Sequence, residues 1–202
     1  MLLLITGASG VGKSTVRAAV EAELSPEVEC VELVDVVPLP PAMTKAWRQQ
    51  SAEAVVRRAV ELQTSGRHLL LAGDPVAAVE IVAAPSAPRL DAIAVCLLDA
   101  SAEAQAARLE ARGDDLTLLP HHQAFADWMR RQASDPLHMP QVVSDDGWDQ
   151  MRWDRVERVA DDWRMQTIDT SLLSPSEVAE AVLDWCRRAF VGDAPSLRLR
   201  SA

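Results

Sequence analysis

The sequence predicts an α/β fold in which helices cover both faces of a parallel sheet. Strand-like apolar runs alternate with amphipathic segments along the chain, which is the order of β-α-β units. One run, HLLLAGD at 68–74, is almost continuously apolar, as expected of a strand buried on both faces. A glycine-rich stretch separates the first strand from the first helix. Ligands of such sheets bind at the carboxyl ends of the strands, so the residues that follow each strand are the functional candidates.

Five strands are expected, and helices connect them. The strands are expected at 1–6, 29–35, 68–74, 91–100 and 164–170. The helices are expected at 13–24, 42–65, 75–84, 101–112, 121–134 and 147–163, with a loop at 113–120. The last helix has a defined start, because Ser174 and Glu177 form a capping box with Pro175 at the first helical position.

Composition indicates one domain, at 1–190, followed by a tail at 191–202 that lacks periodicity and is expected to be disordered. The 202 residues carry a net charge of −10 and no basic run longer than two residues, which argues against a nucleic-acid partner. Three widely separated cysteines fit a reducing compartment. The apolar start is too short for a membrane span. A cytoplasmic protein without membrane contact, a monomer or homodimer, is expected.

The segment ITGASGVGKST at 5–15 carries the most specific signal, because it fits the pattern G-x-x-x-x-G-K-[ST] between a strand and a helix. Its glycines allow successive backbone N–H groups to point at phosphate oxygens. Lys13 is expected to reach the β- and γ-phosphates, and the Ser14 hydroxyl to ligate Mg²⁺. Only two lysines stand against eighteen arginines in the chain, so a lysine here is not incidental. The candidate nucleotide-binding residues are Gly7, Ala8, Ser9, Gly10, Val11, Gly12, Lys13, Ser14 and Thr15.

The loop, the five β-α units and the region after the fourth strand resemble P-loop small-molecule and nucleotide kinases over about residues 1–189. That group includes nucleoside monophosphate kinases, gluconate and shikimate kinases, and chloramphenicol phosphotransferase. The resemblance implies a three-layer fold with strand order 2-3-1-4-5, a mobile lid at about 112–135, and ATP with Mg²⁺ as cofactors. It names no acceptor: a nucleoside monophosphate, a sugar acid and an antibiotic hydroxyl all stay open.

Two aspartates follow predicted strands and are candidates for chemistry. Asp35 ends the second strand, where the resembled kinases often place an acid that binds the acceptor or takes its proton. The alternative is an aspartate that starts a loop. Asp74 ends the third strand, where it resembles the acid of a Walker B strand and would hold Mg²⁺ through water or bind the acceptor. It also fits an N-cap for a helix that begins at Pro75.

Arg108 and Arg112 are four residues apart and share a helix face. In the resembled kinases arginines at this place enter the lid and contact the phosphates of ATP, so both are candidate catalytic residues beside Lys13 and Asp35. The alternative is a solvated face with Glu103 and Glu110 nearby.

Three other functions are alternatives to a kinase. A regulatory GTPase would need an N-K-x-D segment, which a chain without asparagine cannot form. A motor-type ATPase domain and a nucleotide-binding regulatory module without transfer chemistry both stay open. Trp128 and Trp47 are candidates for lining the site of a bulky ring-bearing acceptor, although tryptophans more often pack a core.

Overall fold

The computed structural model of the protein describes residues 1–72 and 76–199. Within these residues five strands form one parallel sheet in the order β2-β3-β1-β4-β5. The strands are β1 Leu2–Thr6, β2 Val28–Val31, β3 His68–Leu71, β4 Ile93–Asp99 and β5 Gln166–Asp169. The fold class and the strand order that the resemblance implied are confirmed.

The helices follow the strands in the expected alternation. They are α1 Lys13–Leu24, α2 Leu33–Val36, α3 Lys45–Gln63, α4 Ala78–Ala83, α5 Ala102–Arg112, α6 Leu119–Gln132, α7 Gln141–Ser144, α8 Asp154–Arg158 and α9 Pro175–Phe190. Short 3₁₀ turns occur at Ala87–Arg89, Leu116–Leu118 and Ala160–Asp162. No helix in the described part of the chain is long and apolar enough to cross a lipid bilayer.

The sheet separates two hydrophobic clusters. On one face Leu3 and Ile5 pack with residues of α1 and α9. On the other face Leu2 and Leu4 pack with residues of α3, α4, α6 and α8. Successive side chains of a strand point to opposite faces, so a strand covered on both sides must be apolar at every position. This explains why residues 2–5 are fully buried.

The second strand is shorter than the sequence predicts, and the placement of Asp35 at its end is wrong. β2 ends at Val31, and residues 33–36 turn into α2. The physical reason is a capping interaction, because the Asp35 carboxylate accepts a hydrogen bond of 2.8 Å from the backbone N–H of Glu32. Asp35 therefore lies in an exposed helical turn beyond the strand.

The region before β5 also differs from the prediction. The expected helix at 147–163 is reduced to α8 and a 3₁₀ turn, because its first part is bonded to other elements. The Arg152 N–H donates to Ala83 O at 2.8 Å, and the Trp148 N–H donates to Gln49 Oε1. Part of the expected loop at 113–120 is helical, since α6 begins at Leu119. A lid at about 112–135 stays a prediction.

The tail after α9 is a correction to the expected disorder, as far as residue 199. Ile93 and Leu197 exchange two backbone hydrogen bonds of 2.9 and 2.8 Å, and Leu197 and Leu199 are buried. The apolar residues of the tail cover the start of β4. The sequence does not predict this contact, because the tail lacks the periodicity of a helix or a strand. Residues 200–202 lie outside the described residues, as does Asp74.

Candidate functional site

The loop between β1 and α1 is shaped by close contact with the neighbouring strand. Gly7 has φ of +148°, and a Cβ at this position would lie 2.3 Å from Leu98 O of β4. Since that neighbour is backbone, only glycine fits. Gly10 and Gly12 also have positive φ, of +85° and +97°. The pattern that identified the loop is therefore required by its geometry.

The first turn of α1 has no side-chain cap. Gly12 is the N-cap and, as a glycine, provides no side-chain oxygen to the first N–H groups of the helix. Such groups, together with the positive end of the helix dipole, bind anions. Ser14 and Thr15 lie exposed in this turn. The loop and helix start thus provide what a polyphosphate requires.

Lys13 brings a buried cation to the centre of the loop. Its Nζ donates hydrogen bonds of 2.8 Å to both Gly7 O and Ala8 O, and the residue is only 6% exposed. These contacts hold the ammonium group inside the loop, beside the surface along which phosphate oxygens would approach.

The helix α5 packs against the tip of the loop and also contacts α6. Gln105 Nε2 donates to Ser9 O at 2.9 Å and to His122 O of α6 at 3.5 Å. A Cβ on Gly10 would lie 3.2 Å from Cγ of Leu109, so this glycine also packs closely on α5. The amide nitrogen of Gln105 therefore joins the loop between β1 and α1 to the first turn of α6. This loop is called the phosphate loop below, after its proposed role.

A cavity of about 430 Å³ opens above the loop. Ser9 to Val16 form its floor, and Arg108 and Arg112 of α5 line it together with residues after β5. Arg108 donates to Thr170 Oγ1 at 2.9 Å and to Thr170 O at 2.5 Å. It forms no ion pair with any residue that the structure describes. Its guanidinium thus lines the cavity without a direct carboxylate contact among the described residues, and it interacts electrostatically with Asp169 at longer range.

Arg112 lies in the same cavity wall but is paired. Its guanidinium forms two hydrogen bonds with the Asp114 carboxylate, one of them 2.7 Å long from Nε to Oδ1. This contact lowers the pKa of Asp114 and raises the pKa of Arg112. Since the Arg112 side chain is 57% exposed, solvent screens the pair and an anion can compete for the arginine.

The structure brings the loop and both arginines to one cavity, but not Asp35. Asp35 is exposed and does not line the cavity. Its turn is nevertheless tied to α1, because Glu32 pairs with Arg17 Nε at 3.3 Å, one helical turn after Lys13. Its role stays a hypothesis.

Two residues of the site were missed by the sequence reasoning. Gln105 is a buried polar residue on the same helix face as Arg108 and Leu109, three and four positions away, a spacing that was visible. Thr170 is buried, and its hydroxyl lies 2.8 Å from Asp99 O and 3.4 Å from Val11 O. It follows β5 directly, so the rule about strand ends indicates it.

No cluster of three or more histidine, cysteine or acidic residues in the described ranges could hold a metal ion. A cation at this site would be held by ligand phosphates and the Ser14 hydroxyl, whereas Asp74 lies outside the described residues. This fits Mg²⁺, which is usually bound through one or two protein ligands together with substrate phosphates.

No family model matches the sequence. No curated protein matches it either. Solved structures do match, among them a gluconokinase from Sinorhizobium meliloti with a TM-score of 0.58 and 17% identity, over 94% of this chain and 93% of that one. A sugar kinase from Janibacter matches with a TM-score of 0.55 and 16% identity, over 100% of this chain and 98% of that one.

The chain has the fold of P-loop small-molecule kinases. A tunicamycin resistance protein from Deinococcus radiodurans is a further structure of this shape, with a TM-score of 0.51, 16% identity and 95% of both chains covered. The structural similarity establishes a common fold. Because the sequence identities are low, the reaction has to be argued from the site itself.

Proposed function

We propose that the protein is an ATP-dependent phosphotransferase that moves the γ-phosphoryl group to a hydroxyl or phosphate of a small molecule. One observation carries the proposal: the glycine loop with buried Lys13 opens into the same cavity as Arg108 and Arg112. Phosphoryl transfer needs little covalent work from a protein and depends on positioning and on neutralising charge. Backbone donors, a lysine and two arginines around one cavity meet that need.

ATP with Mg²⁺ would supply the activated phosphoryl group. Backbone N–H groups of residues 7–15 hold the phosphates, and Lys13 exchanges its carbonyl contacts for phosphate oxygens. Ser14 contributes an oxygen to the metal, and Asp74 is proposed to do so through water. The apolar side chains of Leu173, Pro175 and Val178 offer the nucleobase a surface away from water.

Asp35 is proposed to orient the acceptor and to take its proton. One carboxylate oxygen is engaged with the Glu32 N–H, which fixes the group and leaves the other oxygen for a hydroxyl. Arg108 and Arg112 stabilise the charge that develops on the transferred group. The gluconokinase and the sugar kinase that share this fold are named for small-molecule acceptors, which supports a small-molecule partner here.

The chain offers a matched pair of variants for the first test, because it has only two lysines. Lys13→Ala is expected to weaken ATP·Mg²⁺ binding at least tenfold, since it removes a cation from the phosphate site. Lys45→Ala removes the same charge from the start of α3 and is expected to bind ATP within twofold of the wild type. Isothermal titration calorimetry measures both.

Equal affinity in Lys13→Ala, or no nucleotide binding by the wild type, contradicts the proposal. Release of ADP should in addition depend on an acceptor, which a coupled assay over a panel of sugars, nucleotides and antibiotics would detect. Acceptor-independent hydrolysis would instead favour a motor-type or regulatory ATPase.

A further inference from the structure

A second cavity, of about 550 Å³, runs along one face of α6 and is here called the aromatic groove. Its α6 wall holds His121, Phe125, Trp128 and Arg131, which recur every three or four positions. Its opposite wall is the segment 138–142. The volume lies in the range of sites for drug-sized ligands.

The apolar part of the groove is built around two stacked rings. The Phe125 and Trp128 ring centroids are 5.4 Å apart, with 22° between the planes. The Trp128 N–H donates to His138 O at 3.3 Å, which fixes the indole relative to the opposite wall. Aromatic surfaces held in this way favour a planar ring over an open-chain polyol.

Met139 in the opposite wall has an unfavourable backbone and an exposed side chain. Its φ of +45° lies in the left-handed region, which costs a residue with a Cβ about 1–2 kcal/mol. Its side chain is 49% exposed, and that of neighbouring Leu137 is 41% exposed. Strained residues of this kind concentrate at ligand sites. A ligand in the groove would explain both the positive φ and the exposed side chain of Met139, because the side chain could then pack against the ligand.

The two ends of the groove differ in what they offer. Arg131 lies at one end and forms no ion pair with any residue in the described ranges, whereas Asp127, which also lines the groove, is paired with Arg130; the Arg131 guanidinium can therefore receive an anion. His121 lies at the other end, next to the His122 carbonyl that Gln105 joins to Ser9 of the phosphate loop. Ten helical residues separate these ends, which is about 15 Å.

We infer that the aromatic groove binds the phosphoryl acceptor, and that the acceptor is an elongated molecule with a planar ring and an anionic group. The anion lies at Arg131, the ring lies on Phe125, which is stacked on the largely buried Trp128, and the group to be phosphorylated points past His121 towards the phosphate loop. The assignment as acceptor rests on the proposed function. A sugar acid without a ring would leave the aromatic wall uncovered and is not expected to bind here.

The probe for a first test is 8-anilinonaphthalene-1-sulfonate, which combines fused rings with an anion and fluoresces when bound to apolar surface. Saturable binding to the folded protein at a single site is expected. Arg131→Gln should weaken it about fivefold and Phe125→Leu about tenfold, since Leu keeps the apolar volume and loses the ring. Arg57→Gln, an exposed arginine of α3, and Leu172→Ser, with Leu172 96% exposed, are the controls and should bind as the wild type does.

Met139→Gly separates a ligand role from a packing role. Glycine tolerates positive φ, so this variant should unfold at the same or a higher urea concentration than the wild type while its probe affinity falls. A loss of stability without a change in probe affinity would mean that Met139 only packs, and would count against the inference.

The inference and the proposed function fail in different ways. If ATP binds normally but Arg131→Gln and Phe125→Leu leave probe binding unchanged, the groove is not the ligand site and the inference is overturned alone. If the groove variants weaken the probe but the wild type binds no ATP, the proposed function fails and the acceptor assignment falls with it. Probe displacement by ring-bearing anions, and not by gluconate, supports the stated ligand class.

Discussion

The cavity above the phosphate loop and the aromatic groove are linked through Gln105, which contacts Ser9 O of the loop and His122 O of α6, yet they are built from different atoms. The floor of the cavity is backbone, with Gly7 against the Leu98 carbonyl and Lys13 held by two carbonyls. The walls of the groove are side chains from α6 and from the irregular segment after it. A site made of backbone requires glycines at fixed spacing, which a sequence displays openly. A site made of side chains depends on where loops run.

The largest effect on turnover is expected at Asp35. Its proposed role is also the strongest test of the contrast between backbone and side-chain sites, because it places the proton transfer on one side chain. Asp35→Asn keeps the oxygen that accepts from the Glu32 N–H but removes the base. Turnover with the true acceptor is expected to fall about 10²- to 10⁴-fold, the usual range for a positioned general base, with ATP affinity unchanged. Steady-state kinetics and calorimetry measure the two quantities.

Glu32→Gln is the matched control, since it alters the neighbouring carboxylate of the same turn. Undiminished turnover in Asp35→Asn would remove the base from α2, and loss of ATP binding would instead assign Asp35 to the metal.

Gly7 and Gly12 differ in the space around them. A Cβ has no room at Gly7 and has room at Gly12. Gly7→Ala is expected to lower the free energy of unfolding by about 3 kcal/mol, because its Cβ would meet the Leu98 carbonyl. A Cβ on Gly12 would meet no atom within 4 Å, so only the positive φ is penalised, by about 1–2 kcal/mol. Urea denaturation gives both values. Equal losses would show that close approach of the backbone is not what the first glycine provides.

Gln105 joins the two sites, so its removal should separate them. Gln105→Ala removes the donor to Ser9 O and His122 O, and ATP affinity is expected to fall about fivefold, the equivalent of one hydrogen bond of about 1 kcal/mol. Gln123→Ala is the control, because the side-chain amide of this glutamine donates to Ala102 O at 3.3 Å and to no described residue of the phosphate loop.

Hydrogen exchange adds a second measurement of the same coupling. A non-hydrolysable ATP analogue is expected to slow exchange within residues 112–135 of the wild type, most strongly before the buried Trp128 and Met129, and less in Gln105→Ala. No change anywhere in this range would contradict the predicted lid.

The smallest effect is expected at the pair Arg58 and Glu29, which lines neither the cavity above the phosphate loop nor the aromatic groove. It tests whether the stability of the sheet is independent of these two sites. Arg58 forms hydrogen bonds of 2.8 and 2.7 Å with Glu29 of β2, which lowers the pKa of that carboxyl below its usual 4.5. A carboxyl with a lowered folded pKa stabilises the protein above its unfolded pKa and loses this effect as the pH falls through the folded value.

Glu29→Gln should therefore lower the free energy of unfolding by about 0.5 kcal/mol at pH 7, a small value because Arg58 is 42% exposed. The difference should disappear below the lowered pKa of Glu29. ATP affinity should not change. Glu61→Gln, whose partner contact is 3.4 Å and whose side chain is 66% exposed, should have no measurable effect.

Particular residues explain how much the sequence predicted. The shape of the phosphate loop is predictable because the pattern G-x-x-x-x-G-K-[ST] puts glycines at two positions where the backbone has positive φ. The predicted end of β2 is wrong because the apolar residues of ECVELVD continue past Val31, whereas the hydrogen bond from the Glu32 N–H to Asp35 that starts α2 belongs to a capping box without its usual serine or threonine. The helix at 147–163 was overestimated because Trp148 and Arg152 bond to α3 and α4, which no local pattern encodes. Of Trp128 and Trp47, the two tryptophans that the sequence suggests for an acceptor site, Trp128 lines the groove and Trp47 does not. Nothing local in the sequence indicates the positive φ at Met139.

The scarcity of lysine has a practical consequence for chemical labelling. An amine-directed acylating reagent finds two ε-amino groups in the whole chain, at Lys13 and Lys45. Lys13 is 6% exposed and held by Gly7 O and Ala8 O, whereas Lys45 donates to Asp145 O at 3.0 Å from an exposed setting. Each peptide in a digest then reports one site. Occupancy of the phosphate loop becomes a ratio between two mass-spectrometric peaks, with the second lysine as the internal standard.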